Sequence, residues 1–242
     1  LKVSKILGLP LALGALLWVG CGDQANESSG LDIINGSTPS DNGLIERSTV
    51  ALVGSDGQPF CSGTLIAERF VVSAAHCLKN YYNRLYIAFG RDGREFSYVE
   101  ASDWQIHPSY SGSFYQSVPA DISMIALSAD APAGYEPIPV YQGSLRRGDT
   151  IYLAGFGQTE SGSSGGLLYK GVTVNSADTD EFSVSNGACY GDSGGPAYVF
   201  DGASLQVIGA TSRGTAGCRG DAVYTNVDYF RSWIGQWSGL NL

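Results

Sequence analysis

Basic side chains are scarce. The 242-residue chain carries 14 Lys and Arg against 23 Asp and Glu, a formal net charge of −9. Phosphate backbones are bound by clustered Lys and Arg, so this balance argues against nucleic acid as a partner. A long unbroken hydrophobic run is also missing. The apolar stretch 6–19 is interrupted by Gly8, Pro10 and Gly14 and is too short and broken for a membrane span. Helical periodicity is confined to the tail, and no repeat of 20–50 residues is evident. Histidine occurs twice. No carboxylate cluster has the spacing of a calcium loop, so neither a metal nor another cofactor is expected.

What is present is glycine, 33 residues of it, with Tyr, Val, Thr and Ser in short runs. That composition predicts many strands and turns rather than a helical bundle. The 43% hydrophobic content suffices for one large β domain or two small ones. Strand-like runs fall at 50–54, 63–66, 69–73, 84–89, 99–105, 122–127, 151–154, 172–175, 196–200, 205–210 and 222–226. Their spacing suggests a sandwich or barrels. The segment 131–139, with Pro132, Pro137 and Pro139, would connect two halves, and 162–166 is a Gly/Ser loop. In the tail, Val227, Phe230, Trp233, Ile234 and Trp237 make one apolar stripe of a helix.

The first twenty residues are of another kind. Lys2 and Lys5 precede the apolar run, which reads as a secretory signal over 1–21. Residues 22–32 are small and polar, a tether, and the folded part is expected over 33–242. Trp18-Val19-Gly20-Cys21 resembles a bacterial lipoprotein box, with Trp18 where that box carries Leu. The resemblance implies a lipid on Cys21, an exported chain and contact with a membrane only through that anchor. The alternative is an ordinary signal cut nearby. Five cysteines is an odd number, and lipidating Cys21 leaves four. Bridges Cys61–Cys77 and Cys189–Cys218 would close two local loops, although counting alone leaves three pairings open.

The stretch Cys189-Tyr190-Gly191-Asp192-Ser193-Gly194-Gly195-Pro196 sets one hydroxyl among glycines. Ser193 there can stand open to attack while backbone N–H groups point at the oxygen that develops charge. A plain Gly/Ser turn is the bland alternative. A serine needs a base, and an imidazole titrates near neutral pH. Of the two histidines, His76 is better placed than His107. It follows the apolar run Val71-Val72 and precedes Cys77, where a bridge would hold it. A carboxylate is then needed to orient the ring. Asp121 opens an apolar strand, but local sequence does not separate it from Asp103 or Asp130.

Together these stretches resemble the trypsin/chymotrypsin-type serine proteases. The order His76, Asp121, Ser193 is that family's order. Ser73-Ala74-Ala75-His76-Cys77, Asp121-Ile122, and Gly191-Asp192-Ser193-Gly194-Gly195-Pro196 resemble its three catalytic motifs. Cys61-Ser62-Gly63-Thr64-Leu65-Ile66, Gly155-Phe156-Gly157 and Val223-Tyr224-Thr225-Asn226-Val227 resemble further conserved stretches of the family, and the likeness runs from Ile33 to about Trp237. It implies an all-β fold: two antiparallel six-stranded Greek-key β-barrels, a boundary near 131–148 and a C-terminal helix.

The resemblance also implies roles. Ser193 is the nucleophile, His76 the base and acid, and Asp121 the orienting carboxylate. Gly191 and Ser193 supply the oxyanion-hole N–H groups. Ser212 hydrogen-bonds Asp121 and presents backbone to the substrate, while His107 is structural. Cleavage before Ile33 by an unknown activating protease would bury a new ammonium against Asp192, although Asp32 stands where the family has Arg or Lys. Gly187 is the base of the primary pocket, Gly214 leaves its entrance open and Ala222 lines its far wall. The implied preference is for an apolar or aromatic residue before the scissile bond. Asp221 competes with that expectation if its carboxylate turns inward rather than toward Arg219 or solvent. Arg213 replaces a usual tryptophan beside the substrate strand. The expectation is a monomeric serine endopeptidase acting on proteins or peptides. The alternatives are a catalytically silent binding protein and an esterase on the same fold.

Overall fold

The computed structural model describes residues 33, 36–40, 43–113, 119–158, 166–218 and 220–242. Among these, the strands close into two antiparallel barrels. The first contains β1 (Thr49–Val53), β2 (Pro59–Ala67), β3 (Phe70–Ser73), β4 (Tyr86–Phe89), β5 (Ser97–Ile106) and β6 (Ser123–Leu127), joined in the order β1-β2-β3-β6-β5-β4. The second contains β7 (Thr150–Gly155), β8 (Leu168–Ala177), β9 (Glu181–Ser185), β10 (Pro196–Phe200), β11 (Leu205–Gly214) and β12 (Asp221–Asn226), joined as β7-β8-β9-β12-β11-β10. Both barrels thread their strands in the same order. The repeat lies in the path of the chain, not in its residues.

Burial follows the pleat. β1 is buried along its whole length, whereas β5 runs along the outside with its residues half-buried or exposed. Every strand foreseen from the sequence forms, and β9 is added. In β9 only Phe182 and Val184 face inward, too few to register as a strand. Two helices were also unforeseen, α1 (Leu44–Ser48) and α2 (Ala75–Leu78). Each is too short to show a helical period. α3 (Arg231–Ser238) forms as expected and stops at Gly239, whose φ is 76°.

Each barrel has its own core, and a third apolar cluster lies between them. That cluster joins Ala51, Val72 and Met124 of the first barrel to Ala154, Tyr198 and Val207 of the second. The Tyr198 hydroxyl reaches across to Ser48 Oγ at 2.8 Å and Thr49 Oγ1 at 2.9 Å. Burial pushes this phenol's pKa upward, so it stays neutral and can donate. The connection 128–149 is stitched to both halves. Ile138 N–H donates to Leu65 O, and Tyr141 N–H to Val207 O. α3 follows the second barrel but returns to the first, with Trp237 edge-on to Phe70. The seam is thereby fixed from several sides.

Candidate active site

Residues from both barrels meet at this seam. His76 lies in α2, directly after β3. The Cys61–Cys77 bridge ties that turn to β2. Asp121 comes just before β6 and is fully buried. Its Oδ1 accepts the His76 backbone N–H at 2.9 Å, and its Oδ2 lies 2.8 Å from His76 Nδ1. Ser212 Oγ donates to the same Oδ2 at 2.7 Å. With the carboxylate on Nδ1, that nitrogen carries the proton and Nε2 keeps its lone pair. Tyr110, which the sequence did not single out, is also close. Burial, and then the Asp121 charge, push its phenol up to about 12.

Ser193 stands in the turn before β10. The turn closes on itself: Asp192 N–H donates to Cys189 O, and Gly195 N–H to Asp192 O. Gly194 N–H donates to Thr211 O of β11. Among the described residues, the N–H groups of Gly191 and Ser193 are not taken up in this way. Gly191 has φ 97°, and a Cβ there would come within 2.9 Å of Gly157 Cα. Only glycine fits both the angle and the approach.

Asp192 points inward and is fully buried. Its carboxylate accepts Gly157 N–H at 2.9 Å and Cys189 N–H at 2.8 Å. A Cβ on Gly157 would meet that carboxylate at 2.5 Å, which accounts for the glycine after Phe156. Ile33 is fully buried, in the core cluster of the second barrel with Leu153 and Val184. Asp32, on the other side of the expected cut, and Cys21 lie outside the described residues.

His76 and Ser193 line one cleft of about 340 Å³. No hydrogen bond joins the ring to the Ser193 hydroxyl among the described residues. Such contacts often tighten only when substrate fills the site. The cleft wall continues through Ala188, Tyr190, Gly214 and both cysteines of the Cys189–Cys218 bridge.

The other expected pocket residues, Gly187 and Ala222, are buried. Around Gly187, a Cβ would meet Val184 at 2.7 Å and Leu153 at 2.8 Å. It abuts Val184 and Leu153 of the barrel core. Ala222 is 1% exposed within the same core, paired between Val184 and Gly214. The reason is the pleat of β12, which sends Ala222 inward and its neighbour Asp221 outward. Asp221 Oδ1 accepts from Ser185 Oγ at 2.9 Å and Asn175 Nδ2 at 3.2 Å, so its charge is turned to the outer face. Arg219 lies outside the described residues.

A model of the trypsin family matches residues 33–234. The chain belongs to the trypsin family. Among its relatives, the trypsin of Squalus acanthias is 32% identical over 204 residues, covering 74% of this chain and 85% of that protein. The trypsin of Sus scrofa is 28% identical over 214 residues, covering 77% and 89%. Membership in the trypsin family makes this chain a serine endopeptidase that acts on proteins or peptides. The two disulfides suit an oxidising, exported setting. No described helix is long and apolar enough to cross a membrane.

The residue that sequence reading passed over is Ser62. Its N–H donates to Ser193 O at 2.8 Å, and its Oγ accepts Phe156 N–H at 3.0 Å. It sits beside Cys61 in a stretch that the family resemblance includes, but nothing local marks the hydroxyl as significant.

Proposed function

We propose that the trypsin-family chain cleaves peptide bonds through an acyl-enzyme on Ser193. Ser193 Oγ attacks the scissile carbonyl, and a C–O bond forms as the Oγ proton passes to His76 Nε2. The C–N bond then breaks, and His76 returns the proton to the leaving amine. Water repeats the sequence and frees Ser193. Asp121 holds the ring and stabilises the imidazolium, and Ser212 steadies Asp121. The N–H groups of Gly191 and Ser193 receive the oxyanion. The observation that carries this reading is the paired anchoring of His76 by buried Asp121, in the same cleft as Ser193.

The residue before the scissile bond is apolar on this reading. The supporting fact is a wall without acids among the described residues, with Asp221 bonded outward to Ser185.

Activation follows from cleavage of the Asp32–Ile33 bond. The freed ammonium pairs with buried Asp192, and the turn beside it is locked in the active form. A buried carboxylate of this kind needs a full set of partners. Residues 1–21 serve as a signal, 22–32 as a tether and Cys21 as the lipid anchor.

The test is labelling with an organophosphonate. The cleaved protein is expected to take up one label, and Ser193→Ala to take up none. Labelling that persists in Ser193→Ala would remove Ser193 as the nucleophile. N-terminal sequencing of the active form is expected to begin at Ile33.

A further inference from the structure

Arg213 is the only described residue on the cleft wall with a fixed charge. It lies near the end of β11, between Ser212, which holds Asp121, and Gly214, which lines the cleft. Its guanidinium grips Glu181 of β9 with both terminal nitrogens, Nη1 to Oε1 at 2.5 Å and Nη2 to Oε2 at 2.7 Å. A two-pronged grip fixes direction as well as distance. The two partners are unequal in exposure: the Arg213 side chain is 29% exposed and that of Glu181 16%. Glu181 is not on the cleft wall. The pair therefore shows its cation to the cleft and keeps its anion behind.

The geometry points to Arg213 as a specificity-determining residue that selects an acidic side chain on the acyl side of the scissile bond, positioned by Glu181. This rests on the peptidase reading given above. A peptide that acylates Ser193 and runs along β11 passes Ser212, then Arg213, then Gly214. Arg213 thus falls opposite the second to fourth residues before the cut. Asp180 and Asp121 also act on Arg213 and weaken its field, so the selection is graded, not absolute. Glu181 stops the guanidinium from swinging away to solvent.

The experiment uses the active protein and matched fluorogenic peptides. These share one residue before the cut and carry Asp, Gln or Lys at the second, third or fourth position. The wild type is expected to favour Asp over Lys in kcat/KM by about three- to tenfold at one or more of these positions, the size of a partly exposed charge pair. The ratio should shrink as salt is added. Arg213→Ala should bring it to about one, and the exchange Arg213→Glu with Glu181→Arg should invert it while retaining an ion pair. Each ratio is taken within one variant, so a folding defect that slows every substrate cancels out. A wild-type ratio of one, or a ratio that survives Arg213→Ala, overturns the assignment while labelling at Ser193 leaves the peptidase reading standing. Absence of both cleavage and labelling in the wild type would overturn both.

Discussion

Ser62 Oγ donates to the carbonyl of Gly191 across 2.9 Å. Ser62 belongs to β2 of the first barrel, and Gly191 to the nucleophile turn of the second. The same hydroxyl accepts Phe156 N–H, and the Ser62 backbone N–H holds Ser193 O. One fully buried residue therefore clips the turn on both sides of Asp192.

Replacing that hydroxyl leaves the buried Phe156 N–H short of a partner, at a cost of about 1–3 kcal/mol, and frees the part-buried Gly191 carbonyl. Ser62→Ala is expected to lower kcat about tenfold or more, because the Gly191 peptide can then drift from the oxyanion position. KM should change little, since Ser62 does not line the cleft. Steady-state kinetics separate the two parameters. A rise in KM with kcat unchanged would mean that Ser62 shapes the cleft, not the turn.

The two disulfides make different predictions. Closing loops of these sizes contributes about 3–4 kcal/mol each in the chain-entropy treatment. Cys189–Cys218 spans 29 positions and Cys61–Cys77 spans 16, so their losses should be similar in a urea titration. Their kinetic effects should differ. Both Cys189 and Cys218 line the cleft, and converting the pair to Ser should raise KM several-fold. An unchanged KM with the same loss of stability would give that bridge a purely structural role.

His107 should make stability depend on pH. Its ring packs against Phe230 and Trp233, and burial lowers its pKa below the ordinary value. Nδ1 also accepts Ser109 N–H at 3.2 Å, a bond that protonation removes. In the unfolded chain histidine titrates near about 6.5. Below that value the unfolded chain binds a proton that the folded one refuses. This contribution is therefore complete above about 6.5 and is lost as pH falls through the folded pKa. The urea midpoint should drop from pH 7 to pH 5, and less steeply in His107→Phe. Equal slopes in the two proteins would assign the drop to other groups.

The residues proposed to carry chemistry were legible where the requirement is local. Gly191 and Ser193 announce themselves because an exposed nucleophile needs bare neighbours. His76 stood out because histidine is so rare here. Asp121 did not, since nothing in its strand distinguishes it from Asp103 until β3 and β6 pair and carry it beneath the ring. Glu181 gave no signal, and Ser62 lay in a family-like stretch with nothing to mark its hydroxyl. Each matters through one partner, Arg213 or Gly191, far away along the chain. Gly187 was harder to place for a related reason. Alignment placed it beside the pocket, but the direction of its missing side chain depends on how Leu153 and Val184 pack.

The order of residues pointed to a protease of the trypsin family through short motifs, each written within a few neighbours, while strand spacing by itself left a sandwich or barrels open. Tertiary structure alone decided which carboxylates face the cleft. The outward turn of Asp221, the burial of Ala222 and the concealed anion behind Arg213 all follow from the register of β9, β11 and β12. A shift of one residue in that register would reverse the face of every side chain in the strand.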